Sequence, residues 1–103
     1  MYARLVEIQV APGKMEECVA IFRDRNAPSI AARRGFDHGD WFVDRATGKA
    51  ISVTFWTNEA DERASRAHIP LLIQGMAHVL ATHEIRQETF ETVHEQRHGP
   101  GRS

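Results

Sequence analysis

Cysteine is nearly absent from this sequence, because Cys18 is the single cysteine among its 103 residues. A lone cysteine excludes an internal disulfide and a metal cluster built on cysteines. Long apolar runs are also missing, and none approaches the roughly 20 residues that a membrane-spanning helix needs. The amino terminus lacks the charged-then-apolar order of a secretory signal peptide. These absences predict a cytoplasmic protein that has no membrane partner.

An excess of basic residues is missing as well. Lysine and arginine total 13 against 14 aspartates and glutamates, so the formal net charge is −1. Proteins that bind nucleic acid normally carry a clear basic excess, and we therefore expect no nucleic-acid partner. The composition, with 42% hydrophobic and 26% charged residues, is typical of a folded domain. We place a single domain at residues 1–95 and predict that the polar residues 96–103 form a flexible tail.

Alternation of apolar and polar residues predicts four strands. The first, at 2–10, is stopped by Pro12-Gly13. Two further runs, 36–45 and 49–57, flank a short loop that contains glycine, which is a hairpin signal. Weaker alternation and β-favouring residues predict the last strand at 83–93.

Two segments between these strands have helical periodicity. Apolar residues recur at three- and four-residue steps over 15–22, and Asn26 continues the same stripe. Pro28 is expected to end or kink this helix, with a further turn after it, because proline lacks an amide proton and clashes with the preceding turn. The second helical segment, 59–81, is broken by Pro70 in the same way.

The predicted order is β-α-β-β-α-β, which fits an α+β, ferredoxin-like fold: a four-stranded antiparallel sheet with two helices on one face. We expect the face under the helices to be apolar and to carry Val6, Ile8, Val10, Ile51, Val53 and Phe55. The reverse face would then carry Glu7, Gln9, Ser52, Thr54 and Trp56. An uncovered face with a tryptophan favours a second copy of the chain, so we predict a homodimer in which two sheets face each other.

Short motifs at the turns and strand ends resemble those of a known family. They lie at residues 11–14 (APGK), 35–36 (GF), 44–49 (DRATGK), 55–57 (FWT) and 59–60 (EA). Together they are similar to the antibiotic-biosynthesis monooxygenase family, and the resemblance covers roughly residues 2–95. Members of that family are dimeric α+β barrels, which is also the architecture expected here.

The resemblance implies a function as well as a fold. It implies cofactor-independent oxygenation of a planar aromatic, quinol or polyketide-like small molecule, with dioxygen as the second substrate and neither metal nor flavin. The haem-degrading branch uses an asparagine in the first strand and a tryptophan in the second helix, and this sequence has neither. The alternatives are a non-catalytic small-molecule binding or sensing module of the same fold, and a structural dimer with a collapsed pocket.

The resemblance also indicates a candidate catalytic base. Many family members carry a histidine partway along the second helix, and His68 is its counterpart here. A histidine near its ordinary pKa of about 6.5 suits the removal of a proton from an acidic phenol or anthrone. His68 lies just before Pro70, where a break in the helix would open a pocket. The alternative is a surface histidine that interacts with the helix dipole.

Further side chains are predicted to bind the substrate. They are Trp56, His38, His78, Phe55 and Met76. Trp56 would stack on a planar ring or fill the dimer interface, whereas Trp41 is expected in the interface. His38 would either pair with Asp40 as an acid and base or belong to an exposed polar patch. No spacing of histidines and carboxylates resembles a metal site, so no metal is expected.

Overall fold

The structure, a computed structural model that describes residues 1–99, contains one four-stranded antiparallel sheet. Its strands are β1 (Tyr2–Gln9), β2 (Phe36–Val43), β3 (Lys49–Trp56) and β4 (Arg86–Glu91). Their order across the sheet is β2-β3-β1-β4, so the first strand of the chain lies beside the last. This arrangement confirms the predicted α+β, ferredoxin-like fold.

The predicted hairpin joins β2 to β3 through a tight turn. The Asp44 carboxylate accepts a hydrogen bond of 2.9 Å from the Ala46 amide, and Gly48 has a φ of +78° that only glycine adopts without strain. A β-bulge lies between Phe36 and His38 at the start of β2. The bulge changes the direction of the strand just before the residues that pair with the end of β3.

The first helical segment runs through three consecutive elements. They are α1 (Met15–Ile21), a π-helical turn (Phe22–Asn26) and α2 (Ala27–Ala31). Pro28 therefore changes the helix without ending it. Because Pro28 cannot donate a backbone hydrogen bond and its ring crowds the carbonyl four residues earlier, a wider turn just before it relieves the clash. The turn predicted after Pro28 is present as α2.

The second helical segment is also interrupted. It comprises α3 (Glu59–Ser65), a 3₁₀ turn (Arg66–His68), α4 (Ile69–Gly75) and a 3₁₀ turn (Ala77–Val79). The Asn58 side chain caps α3 by accepting a hydrogen bond of 2.8 Å from the Asp61 amide. Pro70 occupies the first turn of α4, where its missing N–H leaves no helical bond unmade.

The predicted assignment of the β3 side chains to the two faces of the sheet is wrong. Residues that pair across the two central strands share a face, and β1 pairs Arg4 with Thr54 and Val6 with Ser52. The face under the helices therefore carries Ala50, Ser52, Thr54 and Trp56 from β3, all of which are buried. The strand is a single alternating run, and the alternation is the opposite of the one predicted.

We call the sheet surface turned away from the helices the open face. Ile51, Val53 and Phe55 lie on it with Leu5 of β1, since Leu5 pairs with Val53. Phe42 lies on the same face and is half exposed. An ion pair lies on this face too, because Arg86 Nη1 is 3.5 Å from Glu7 Oε1. The open face thus carries apolar side chains together with charged ones such as Glu7, Arg86 and Glu88.

Residues 92–99 follow β4 without forming a helix or strand. The tail predicted at 96–103 lies partly outside the described residues, and its flexibility stays a prediction. Within residues 1–99, every helix is too short or too polar to cross a membrane.

Candidate functional site

An inner cavity lies between the sheet and the two helical segments. Its lining includes Arg4, Val6, Ser52 and Trp41 from the sheet, and helical residues that include Asn26 and Met76. Most of the wall is apolar. The cavity has a volume of about 40 Å³, which is room for about three water molecules. Trp41 thus lies on the helix side of the sheet, which corrects the prediction that placed it in a dimer interface.

Two residues that line the cavity each have a buried polar atom with no hydrogen-bond partner among the described residues. The atoms are Arg4 Nε and Asn26 Oδ1, and both side chains are at least 95% buried, with exposed fractions of 2% and 5%. A buried donor or acceptor without a partner costs the full desolvation of that group, and such atoms are rare in folded proteins. Both atoms belong to residues that line the cavity, so the unpaired polar groups of this region lie beside it.

The other end of the Arg4 guanidinium is held by α3. Arg4 Nη1 donates hydrogen bonds to Ser65 Oγ at 2.5 Å and to Glu62 Oε2 at 3.3 Å. Glu62 is fully buried and also accepts from Arg66, whose Nη2 lies 2.5 Å from Oε1. Arg66 in turn donates to Thr89 Oγ1 at 3.1 Å. We call Arg4, Glu62 and Arg66 the buried charge cluster.

This cluster carries two guanidinium groups and one carboxylate. Burial lowers the pKa of Arg4, while Glu62 opposes that change, and arginine remains protonated at neutral pH in any case. Burial raises the pKa of Glu62, but hydrogen bonds and charge from Arg66 and Arg4 outweigh it and hold the pKa below the usual range. Glu62 is therefore ionised at neutral pH, and the cluster has a net charge of +1 beside an apolar cavity.

Trp56 packs against this cluster without lining the cavity. The guanidinium carbon of Arg4 lies 4.8 Å from the centroid of the Trp56 ring, which is a cation–π arrangement. The indole Nε1 donates to Thr54 Oγ1 at 2.9 Å, and Phe36 packs edge-on at 5.6 Å. Trp56 is completely buried. The Trp56 ring thus packs against the Arg4 guanidinium. Its role as a stacking surface for a substrate stays a prediction.

His68 lies outside the cavity wall, between the two helical segments. The distance from Ser29 Oγ to His68 Nε2 is 2.6 Å, and Arg33 Nη2 donates to Nδ1 at 2.6 Å. Since arginine can only donate, Nδ1 is the acceptor and the hydrogen of the neutral ring is on Nε2, which donates to Ser29. Burial lowers the pKa of His68, and the charges of Arg33 and Arg4 lower it further. The ring is therefore neutral, and its basic nitrogen is occupied by Arg33.

Of the remaining predicted residues, one lines the inner cavity and two lie on the open face. Met76 lines the inner cavity, where its sulfur accepts from Asn26 Nδ2 at 3.6 Å. His38 and Phe55 stack on each other on the open face, with ring centroids 4.3 Å apart. His38 pairs with Asp37 at 2.5 Å, whereas the predicted partner was Asp40.

His78 is exposed at the end of the second helical segment. Its Nε2 lies 3.1 Å from the carboxylate of Glu17 on α1. His78, His38 and Phe55 do not touch the inner cavity, so the structure brings only Met76 of the predicted binding residues into its wall. The substrate-binding roles of the other residues stay predictions.

A wider surface groove lies beside the inner cavity. It has a volume of about 430 Å³ and runs between α4 and β4, with Arg66, Pro70 and Ile85 among its lining residues. Ile69 and Ile73 line both the groove and the inner cavity. One layer of isoleucine side chains therefore separates the small cavity from a space large enough for a ligand. A cavity of about 300 Å³ is the size that small-molecule sites usually reach.

Arg4 and Asn26 were not among the predicted site residues. Both nevertheless leave a signal in the sequence. Arg4 is in phase with Val6 and Ile8, which face the helices, and Asn26 continues an apolar helical stripe. A polar residue at a buried phase of a strand or helix needs a partner, and that partner can be a ligand.

Solved structures of the same fold match this chain along nearly its whole length. A Deinococcus radiodurans protein provisionally designated an antibiotic biosynthesis monooxygenase matches with a TM-score of 0.77 and 12% identity, over 96% of this chain and 99% of that one. SnoaB, a cofactor-independent oxygenase from Streptomyces nogalater, matches with a TM-score of 0.70 and 13% identity, over 91% and 94%. The ActVA-Orf6 monooxygenase of Streptomyces coelicolor, solved with nanaomycin D, matches with a TM-score of 0.75 and 12% identity, over 95% and 92%.

These low identities establish a shared fold only. No curated protein sequence matches the chain. The sequence model of one family, described as antibiotic biosynthesis monooxygenase, matches residues 1–85, which contain β1, β2, β3 and both helical segments. Because this match extends over most of the chain, and as the turn motifs predicted, the protein belongs to the antibiotic biosynthesis monooxygenase family.

Proposed function

We propose that this protein is a cofactor-independent monooxygenase of a planar aromatic, quinol or polyketide-like small molecule. The observation that carries the proposal is an apolar inner cavity, lined by Arg4 and Asn26 with one unpaired polar atom each, in a member of this family. Two proteins of the same fold support it, since one is described as a cofactor-independent oxygenase and another is a monooxygenase solved with nanaomycin D.

The chemistry asks little of the protein. A base removes a proton from an acidic C–H or O–H group, and the resulting carbanion passes one electron to dioxygen. The two radicals combine into a peroxide, which loses water and leaves a carbonyl. A CH₂ group and O₂ thus become C=O and H₂O, so no external reductant is needed. The protein must keep water out and hold the anion beside dioxygen.

His68 is the proposed base. It would accept the proton on Nδ1, which requires that Arg33 first releases this nitrogen. Replacement of His68 by alanine should lower the rate of oxygenation at least tenfold, because a positioned base contributes about a hundredfold or more. The matched control is His94→Ala, which removes an exposed histidine outside the cavity and should leave the rate unchanged. Equal rates for the two variants would remove His68 from the mechanism.

The size of the cavity bears on how a substrate enters. About 40 Å³ holds no aromatic ring, but the neighbouring groove offers about 430 Å³ behind Ile69 and Ile73. Rotation of these two side chains would join the spaces. We infer that a substrate enters from the groove and displaces the isoleucines, with its polar group toward Arg4.

We also propose a homodimer in which two open faces meet. The open face exposes Phe42 and Phe90, each at 50%, together with Val53 and Phe55 near its centre. Exposed apolar patches of this kind are typical of protein interfaces. Sedimentation of the full chain at micromolar concentration should give twice the mass of the monomer, and a monomer alone would contradict the proposal.

The test of the activity is dioxygen uptake by metal-stripped protein with a panel of anthrones and quinols. The rate without protein is the control, because these compounds autoxidise. Uptake well above that background and insensitive to chelator is the expected result. Background rates across the panel would contradict the proposed activity.

A non-catalytic binding or sensing module is the second candidate function. The occupied basic nitrogen of His68 favours it, because no histidine of residues 1–99 lines the cavity. Such a module would quench tryptophan fluorescence with a saturable dependence on ligand and would consume no dioxygen. Trp41, which lines the cavity, is the reporter for this measurement.

A further inference from the structure

We propose that His68 is an acid-sensitive latch, which holds the start of α4 against the first helical segment while its ring is neutral and releases it when the ring takes up a proton. Ile69 follows His68 and lines both the inner cavity and the surface groove. Release of His68 would therefore free a side chain that separates the two spaces. The inference concerns access to the inner cavity, and it holds whether or not a ligand is oxidised there.

The latch consists of two hydrogen bonds that meet on one imidazole ring. Ser29 of α2 and Arg33 just after α2 contact the two nitrogens of His68, each at 2.6 Å. His68 in turn ends the 3₁₀ turn that leads into α4. Within residues 1–99, these are the two side-chain hydrogen bonds that connect residues 27–34 with that turn and the start of α4.

One of the two bonds depends on the charge of the ring. Neutral His68 accepts from Arg33 through Nδ1, but a protonated ring has no acceptor, because both of its nitrogens then carry hydrogen. The bond with Ser29 survives, since Nε2 donates in either form. Proton uptake thus replaces an attractive contact with two positive groups that face each other.

The charges around His68 determine the sign of the response to pH. Arg33 beside the first helical segment and Arg4 on β1 are the charged side chains that act on the ring, and together with burial they lower its pKa. A histidine whose pKa is lowered by folding contributes stability that is complete above the unfolded pKa of about 6.5. This contribution is lost as the pH falls from there through the folded pKa. The latch is therefore closed at neutral pH and weakened in acid.

The opposite end of α4 is held by contacts that acid does not break. Arg25 Nη1 donates to the Gly75 carbonyl at 3.1 Å, and arginine does not lose its charge at any pH of interest. Just beyond α4, His78 lies 3.1 Å from Glu17. That ion pair requires a protonated imidazole, so mild acid favours it. The start of α4 can therefore separate from the first helical segment while its end stays attached.

Pro70 allows the start of α4 to move separately from α3. It lies in the first turn of α4 and has no N–H, so no backbone hydrogen bond connects residue 70 to the preceding turn. Ile69 and Ile73 lie one turn apart on this part of α4. Their displacement would join the inner cavity of about 40 Å³ to the groove of about 430 Å³.

The first test is amide hydrogen exchange of the full chain, measured by NMR at about pH 7.5 and about pH 5.5, where ordinary carboxylates are still mostly ionised. Dividing each rate by that of the unfolded chain at the same pH removes the intrinsic dependence of exchange on pH. We expect the protection of residues 69–73 to fall about threefold to tenfold in acid, which is the effect of losing one hydrogen bond. Residues 76–79, beyond the attached end of α4, should keep their protection.

Two variants separate the latch from a general effect of acid. His68→Asn keeps an acceptor for Arg33 but does not titrate, and Arg33→Met removes the bond and the repulsion together. In both variants the protection of residues 69–73 should be nearly the same at the two pH values. The matched control Arg34→Met removes a neighbouring arginine whose side chain is 92% exposed, and it should retain the acid response of the wild type.

Access to the cavity has its own measurement. Ser52→Cys places a thiol in the cavity wall, and its rate of reaction with 4,4′-dithiodipyridine reports how often the cavity opens. The native Cys18 is completely buried, and burial raises the pKa of its thiol to about 11, so it reacts slowly. The ratio of the acid rate to the neutral rate should be at least about threefold higher with His68 than with His68→Asn. This comparison cancels the effect of pH on the thiol itself.

Three results would overturn the inference. The first is equal protection of residues 69–73 at both pH values in the wild type, a measurement that needs no variant. The second is a fall that extends to residues 76–79 or that persists in both His68→Asn and Arg33→Met, because acid would then destabilise the chain in general. The third is an equal ratio of thiol rates in the two backgrounds. If His68→Asn does not fold, Arg33→Met replaces it in both experiments.

These measurements are independent of the proposed function, because none of them uses dioxygen or a substrate. A latch without dioxygen uptake would support the inference and leave the binding module as the function. Dioxygen uptake without an acid response at residues 69–73 would overturn the inference and leave the monooxygenase.

Discussion

The two faces of the sheet differ in which side chains they carry, and some polar residues lie on the face that the helices cover. The face covered by the helices carries Arg4, Ser52 and Thr54, while the open face carries apolar side chains such as Val53 and Phe42. The covered face thus buries polar groups among core residues such as Ile8, while the open face exposes apolar residues beside charged ones such as Glu7. The difference teaches that polar groups can lie on a covered face when they find partners there, and that apolar side chains can stay on the open face for another molecule.

Hydrogen-bond partners explain why polar groups can be buried on the covered face. Thr54 accepts from the Trp56 indole, and Arg4 binds Glu62 and Ser65 of α3. Buried polar groups cost little when they are hydrogen-bonded and several kcal/mol when they are not. The two atoms without partners belong to Arg4 and Asn26, which line the inner cavity, so the cost that remains is concentrated beside the proposed ligand site.

The largest expected effect comes from breaking the covered face at Glu62. Glu62→Ala leaves two arginines without their carboxylate, and loss of one partner of a buried ion pair costs about 3–5 kcal/mol. The free energy of unfolding, measured in urea, should fall by that amount. The control is Glu59→Ala, which breaks an exposed pair with Arg63 and should change stability by less than about 1 kcal/mol. Similar values for the two variants would contradict the burial of the cluster.

A second prediction concerns a substitution on the open face that disrupts the proposed dimer. Val53→Lys places a charge among the apolar side chains of the proposed dimer interface, and a central interface residue contributes about 2 kcal/mol or more. The dissociation constant of the dimer should rise at least thirtyfold, or about 2 kcal/mol, by sedimentation. Leu71→Lys is the matched control, because Leu71 is an exposed apolar residue of α4, away from the open face. If both variants dimerise like the wild type, the sheets do not form the interface.

The smallest expected effect is a dependence on pH of the stability that Glu62 contributes to the covered face. The folded pKa of Glu62 lies below its value in the unfolded chain, because Arg66 and Arg4 outweigh the effect of burial. Its contribution to stability is therefore complete above the ordinary glutamate pKa of about 4.3 and is lost as the pH falls through the folded pKa. Urea unfolding of the wild type and of Glu62→Gln between pH 7 and pH 3 should converge at the acid end. A constant difference across this range would show that Glu62 does not titrate as a paired carboxylate.

Much of the fold could be predicted from the sequence, because its signals are local. The strands, the hairpin at residues 44–49 and the breaks at Pro28 and Pro70 depend on residues that are close together in the chain. The site was harder to predict. Arg4 and Glu62 are 58 residues apart, and Asn26 reaches the cavity through a π-helical turn that periodicity does not indicate.

By itself, then, the sequence determined the order of the elements, the alternation within each strand and the family. The tertiary structure alone decided which set of alternating side chains lies under the helices. A period of two divides β3 into two sets but contains no information on which is covered, and a shift of one residue exchanges them. That choice is made by distant contacts, such as those of Arg4 with α3, which give a polar residue a buried place and leave Val53 and Phe55 outside.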